Sequence, residues 1–194
     1  MITVAEKSIL RKRLQLYEGN IPHMYLDSNG YVTVGVGHLI TNLSEAKKLL
    51  FVDVKTGKKA SSSEIKTDYD NVNKQAKNRI ASYYKKYTKL ILKQAEIDNL
   101  TNKHINSFYF ELKKIYQDFD KYPTEVRLAL FDLIFNLGMP TLKNKWPTFN
   151  KYIKIKDWQQ AANNSKRKPP VSAARNKYVK DLLEKAANKA KKQP

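Results

Sequence analysis

The sequence of 194 residues contains no cysteine. That absence removes disulfide scaffolds, thiolate nucleophiles and cysteine-ligated zinc or iron–sulfur centres together. Histidine is scarce too. His23, His38 and His104 stand isolated from one another, which leaves little to hold a metal, and neither a metal nor a cofactor is expected. Long apolar runs are missing. Glu6, Lys7, Arg11, Lys12 and Arg13 interrupt the N-terminal apolar positions, so no stretch of signal-peptide length occurs there, and no run approaches the roughly 18 residues of a membrane span. The expectation is a chain made in the cytoplasm that needs help to reach any target beyond a membrane.

Acidic residues are in short supply: 18 Asp plus Glu stand against 37 Lys plus Arg, a formal charge of +19. A field of that size concentrates polyanions and speeds encounter with them. Nucleic acid, anionic lipid or lipopolysaccharide, and cell-wall polymer all fit, and charge alone does not choose. What is present is enough to fold. Hydrophobic residues make up 41%, with 12 Tyr and 7 Phe, above the composition of disordered chains. The length suits one domain, or two small lobes sharing a core.

Thr3 to Glu6 reads as a capping box opening a helix with apolar positions at Ile9, Leu10, Leu14 and Tyr17, stopped by Gly19. Two alternating runs follow, Met24–Leu26 and Tyr31–Gly37, around an Asp27-Ser28-Asn29-Gly30 turn signal, which predicts a hairpin and the only strands in the chain. A short helix is expected from about 44 to 51, then a loop closed by a Ser61–Glu64 cap. Ile65, Tyr69, Val72, Ala76, Ile80, Tyr83 and Tyr87 then recur at helical spacing, predicting one long helix with a buried tyrosine stripe. A second run starts at Gln94. Pro123 opens the most apolar helix, through Val126, Ala129, Leu130, Leu133, Ile134 and Leu137 to a stop at Gly138. Shorter helices are expected at 146–155 and 157–164. A basic amphipathic helix follows over about 172–190, with Ala174, Tyr178, Leu182, Ala186 and Ala190 on one side. From Lys166 on there are ten Lys or Arg against Asp181 and Glu184, a local +8. That helix either packs on the domain or disturbs an anionic outer membrane.

Side chains alternate across a strand, so Tyr25, Asp27, Tyr31, Thr33, Gly35 and Gly37 share one face, while Met24, Leu26, Val32, Val34 and Val36 suit a buried one. The first face is expected to be open. With a loop of Asn29–Tyr31 or Ser28–Val32, Asp27 and Thr33 stand directly opposite one another. Glu18 ends the first helix, and a Gly-Asn-Ile-Pro connection brings it straight to this hairpin. A Glu and an Asp nine apart are ordinarily solvated carboxylates. Together with a hydroxyl they form the set that glycoside hydrolysis needs, one acid for the leaving oxygen and one carboxylate for a water or the sugar. Gly35-Val36-Gly37 does not read as a dinucleotide loop, because Ile40 stands where a third glycine belongs.

Glu18-x8-Asp27-x5-Thr33, in its setting from Tyr17 to the Gly35-Val36-Gly37-His38 end, resembles the active-site segment of the phage-type lysozymes, glycoside hydrolase family 24. Phe135-Asn136-Leu137-Gly138 is similar to the family's motif at the end of its apolar helix. The order of a charged helix, Trp158 and a late Arg175 also follows the family. The likeness covers roughly 3–50 and 88–188. It implies a mainly α member of the α+β class with a lysozyme-like two-lobe fold. A small hairpin lobe would span about 18–60, a helical lobe 1–17 and 61–194, with the catalytic cleft between them.

The activity implied is that of a muramidase cutting the β-1,4 bond between N-acetylmuramic acid and N-acetylglucosamine in peptidoglycan, with inversion. Glu18 would be the general acid, kept protonated by its surroundings. Asp27 and Thr33 would hold the water, while Leu39, Phe135, Asn136 and Arg175 would contact substrate. Partners implied are peptidoglycan strands, an anionic outer membrane at the last helix and an immunity protein. A monomer that binds no nucleic acid is expected. Holin-type release or secretion-system delivery would bring it to the periplasm. A lytic transglycosylase and a silent basic nucleic-acid or membrane module are the alternatives. Two departures stand out: residues 52–87 are extra relative to compact members, as in the pesticin-like muramidases, and Tyr17 precedes the acid where some members have Asp.

Overall fold

The computed structural model describes residues 1–192. Helix α1 (Val4–Glu18) starts on the expected box. Thr3 Oγ1 accepts from the Glu6 amide at 3.2 Å and Glu6 Oε2 accepts from the Thr3 amide at 2.8 Å. Gly19 then takes φ +84°, a left-handed turn open to a residue without Cβ. Strands β1 (Ile21–Leu26), β2 (Val32–Gly35) and β3 (His38–Leu39) form an antiparallel sheet in that order. The expected two-stranded hairpin therefore gains a third strand, and β2 becomes central.

Helix α2 (Leu43–Lys47) ends before Phe51, short of the reach expected of it. Residues 51–53 instead form β4 (Phe51–Asp53), paired antiparallel with β5 (Leu90–Leu92). This second sheet corrects the expectation that strands end at 37. Each strand is three residues long, too short to show alternation. Helix α3 (Ser62–Asn73) opens on the predicted Ser61–Glu64 capping box but does not run to Tyr87. Asn78 adopts φ +59°, and the chain resumes as α4 (Ala81–Tyr84) and a 3₁₀ turn over 85–87. The tyrosine stripe is broken accordingly. Ile65, Val72 and Tyr84 are buried, Ala76 and Ile80 are exposed.

Helices α5 (Gln94–Ile115), α6 (Thr124–Lys145), α7 (Pro147–Lys154), α8 (Trp158–Asn163) and α9 (Ala173–Lys191) complete the chain. The apolar helix stops where expected, for Gly138 at φ +72° breaks α6 and Pro140 follows in the first turn of the resumed helix. In α9 the buried residues are Arg175, Val179, Leu183, Ala186 and Ala187. That face lies about one position away from the predicted stripe, and α9 packs with it on α6 and α8.

The chain divides into two compact units. One consists of Met1–Leu10 and the chain from His104 onward, with Val126, Ala129, Leu130, Leu133 and Ile134 at its centre, all fully or almost fully buried. The other, Arg11–Lys103, holds both sheets around Met24, Val34, Phe51, Val72 and Leu90. In this unit Asp68 is a buried staple. Its Oδ2 accepts from the amides of Lys89 and Leu90, each at 2.8 Å, and so fixes β5 to α3. Asp68→Ala leaves two amides unsatisfied and is expected to lower stability by about 2–3 kcal/mol, measured by urea unfolding of the whole chain.

Candidate active site

Glu18 sits half-buried at the end of α1. Three side-chain pairs fix that end against the start of α5: Arg11 Nη1 donates to Asn102 Oδ1 at 3.2 Å, Gln15 Nε2 to Asp98 Oδ1 at 3.2 Å, and Asn20 Nδ2 to Gln94 Oε1 at 2.8 Å. Residues 94, 98 and 102 are one turn apart and so lie on one side of α5. The two helix segments run antiparallel along this ladder. Glu18 is thereby positioned by rigid helix rather than by loop.

The hairpin pairs Tyr25 with Thr33 and Leu26 with Val32, a register in which Asp27 lies opposite Tyr31 across the turn Ser28-Asn29-Gly30. Thr33 is thus not directly opposite Asp27 as expected but one diagonal step away on the same side of the ladder. The turn itself sets this register. Asp27 Oδ1 accepts from the amides of Asn29 and Tyr31, both at 2.9 Å, while the Gly30 amide donates to the Asp27 carbonyl at 3.0 Å. Among the described residues Oδ2 of Asp27 carries no hydrogen bond. Thr33 Oγ1 donates to the Tyr31 carbonyl at 3.0 Å, which commits its proton and leaves its oxygen as an acceptor.

The expected open, glycine-rich face is largely closed. All four residues of β2 are buried, because β2 is the central strand, packs on α3 and meets Ile97 of α5 at Gly35. A Cβ built at Gly35 would come within 3.3 Å of Ile97 Cγ2. Gly35, expected to leave room for substrate, instead leaves room for α5. Gly37 does face open space, and Leu39, opposite Thr33 on β3, is exposed.

Tyr25, expected only to share the face of Asp27 and Thr33, pairs with Thr33 across the hairpin and lies within the electrostatic influence of both carboxylates. Its phenol is pushed up to about 12, first by burial and then by the negative charges of Asp27 and Glu18. Coulomb interactions fade with distance and solvent, so a hydroxyl that feels both charges has both within electrostatic reach.

The remaining predicted residues belong to the other unit. Phe135 is half-buried with its ring edge-on to Phe108 at 5.5 Å, and Phe108 stacks on His104 at 6.4 Å. Asn136 is exposed, and its Oδ1 accepts from Arg167 Nη1 at 3.5 Å. Arg175 is buried and its Nε donates to the two Asp132 oxygens at 3.2 and 3.1 Å. Arg167 Nη1 pairs with the same carboxylate at 2.7 Å. Arg167 was missed because an arginine in a Lys-Arg-Lys run reads as solvated. Among the described residues no group of three His, Asp or Glu side chains could hold a metal ion, and no helix is long and apolar enough to cross a membrane.

Two outcomes test this geometry. Gly35→Ala places a Cβ at φ +67° and against Ile97, and is expected to cost about 2 kcal/mol of stability by thermal or urea unfolding. Replacing Glu18 by Gln, or Asp27 by Asn, is expected to lower the Tyr25 pKa from about 12, followed by NMR titration of ring-labelled tyrosine. An unmoved titration in both variants would contradict the shared electrostatic reach.

The phage lysozyme family model matches residues 15–188. A probable T4-type lysozyme from Dictyostelium discoideum is 26% identical over 163 residues, covering 82% of this chain and 82% of that protein. With the family match spanning most of the chain, this protein belongs to the phage lysozyme family, whose lysozyme-type activity is hydrolysis of peptidoglycan.

Proposed function

We propose that the chain is an inverting muramidase acting on the β-1,4 bond between N-acetylmuramic acid and N-acetylglucosamine. The observation that carries this reading is the Asp27 side chain, whose Oδ1 is taken by two turn amides while Oδ2 is left open, on the same side of the hairpin as a threonine oxygen whose proton is committed to the Tyr31 carbonyl, with Glu18 at the end of α1. In the reaction Glu18 protonates the glycosidic oxygen as the C1–O bond breaks. A water donates hydrogen bonds to Asp27 Oδ2 and Thr33 Oγ1, which turns a lone pair toward C1. As the new C1–O bond forms, the water proton passes to Asp27. Splitting the Asp27 carboxylate suits this role, because Oδ1 is occupied by two amides and only Oδ2 is left for the water.

Leu39, Phe135, Asn136 and Arg175 are proposed to contact the glycan. The exposed leucine offers an apolar surface to a sugar ring, and Phe135 a half-exposed aromatic one. Arg175 shares the Asp132 carboxylate with Arg167, so its guanidinium is held in one orientation.

Glu18→Gln is expected to reduce turnover of purified peptidoglycan by about 10³-fold or more with folding intact. Asp27→Asn keeps an acceptor for the turn amides, so it is expected to retain substrate binding while losing about 10²–10⁴-fold in rate. Mass spectrometry of the muropeptides should show hydrated reducing ends, and NMR of the first product should show the α-anomer. Anhydro ends would reassign the protein as a lytic transglycosylase, and activity in Glu18→Gln would remove the acid from this site.

A further inference from the structure

Between Asp70 and Glu96 the chain carries seven Lys or Arg and no Asp or Glu. The fold gathers part of this run in one place. Arg79 lies over the Tyr83 ring, 5.7 Å from its centroid, and Lys86 lies over the same ring at 4.7 Å and over Tyr87 at 5.0 Å. The Tyr83 and Tyr87 hydroxyls are 3.2 Å apart. Two exposed cations and two phenols therefore form one cluster, Arg79 just before α4, Tyr83 on it and Lys86 and Tyr87 in the turn after it. Each ring face offsets some of the repulsion between cations that both approach Tyr83. The hydrogen bond shared with Tyr83, and then Lys86, hold the Tyr87 phenol below its ordinary value.

Elsewhere on the surface some lysines meet carboxylates, such as Lys48 with Glu45, Lys113 with Asp120, Lys177 with Asp181 and Lys189 with Glu125. Among the described residues Lys77, Arg79 and Lys86 have no such pair. The cluster also adjoins the hairpin. A Cβ at Gly30 would meet Lys77 Cδ and Cε at 2.6 Å and Nζ at 3.0 Å, so the Lys77 side chain lies directly on the turn that carries Asp27.

We propose that Lys77, Arg79 and Lys86, with Tyr83 and Tyr87, form a second docking surface for the peptidoglycan strand and take the carboxylates of its stem peptides beside the sugar at the hairpin. The proposal rests on the muramidase reading for the identity of the strand. A single exposed Lys–carboxylate contact contributes little, but one polymer that engages the hairpin and this surface together makes the second contact intramolecular. Continuity with the Asp27 turn favours the wall strand over an unrelated polyanion.

The test uses the full chain carrying Glu18→Gln in the cold, with release of soluble muropeptides monitored so that binding is read only on intact sacculi. Co-sedimentation with purified sacculi compares this parent with the same chain bearing Lys77→Gln, Arg79→Gln and Lys86→Gln. A control bears Lys55→Gln, Lys58→Gln and Lys59→Gln, three exposed lysines on the loop after β4. The cluster variant is expected to bind about tenfold more weakly at low salt, and the difference should vanish at about 0.5 M salt. The control should bind like the parent. Amidating the stem carboxylates should weaken the parent to the level of the cluster variant, while stripping phosphodiester polymers should change neither. Equal binding of parent and cluster variant, an equal loss in the control, or a loss on phosphodiester removal would overturn the proposal. Displacement of the parent by duplex DNA at lower concentration than by soluble muropeptides would overturn it too. Turnover by the chain with Glu18 intact is read separately, so a failure of the muramidase assignment does not mask the binding result.

Discussion

The packing of the first turns of α5 against two other elements is the constraint from which the candidate site follows. One side of α5 carries Gln94, Asp98 and Asn102, which bond the last turns of α1 and the residues after it. An adjacent side carries Ile97, which fills the space that Gly35 leaves on β2. Glu18 and the hairpin are thus both referenced to one helix, and a displacement of α5 would move the two together. Thr101 tightens this stretch by bonding its hydroxyl to the Ile97 carbonyl at 2.8 Å. A site supported in this way has little freedom to relax out of register.

In the other unit the central feature is a carboxylate shared by two guanidinium groups. Asp132 lies in the middle of the apolar part of α6 before Gly138 and holds Arg167 and Arg175, all three buried. Such a group is more informative about orientation than about stability, since desolvation offsets much of the attraction. Its consequence is that α6, α9 and the segment before α9 are bound at one point. Asn176 adds to the same point by bonding the Arg167 amide and carbonyl at 3.1 and 2.9 Å.

Local chemistry was readable from the chain. The Thr3 and Ser61 capping boxes, the Gly19 and Gly138 stops, the start of α5 and the side shared by Tyr25, Asp27 and Thr33 all depend on residues within a few positions of each other. The unread features each depend on a distant partner. Register placed Thr33 opposite Tyr25 because Asp27 bonds two amides of its own turn, and no alternation pattern encodes that choice. The burial of β2 required β3, only two residues long, and α5, more than fifty residues away in sequence. The β4–β5 pair joins residues 51–53 to 90–92, and the burial of Arg167 appears only when Asp132 is beside it.

The divided carboxylate of Asp27 has a consequence for how the site comes into being. The same side chain that closes the hairpin turn through Oδ1 presents Oδ2, so the acceptor is in position as soon as the turn forms. On the proposed reading, folding of the turn and preorganisation of the water acceptor are one event. A glycan that met Asp27 as proposed would have no loop to order at this residue, and the binding energy otherwise lost to ordering would remain for the reaction.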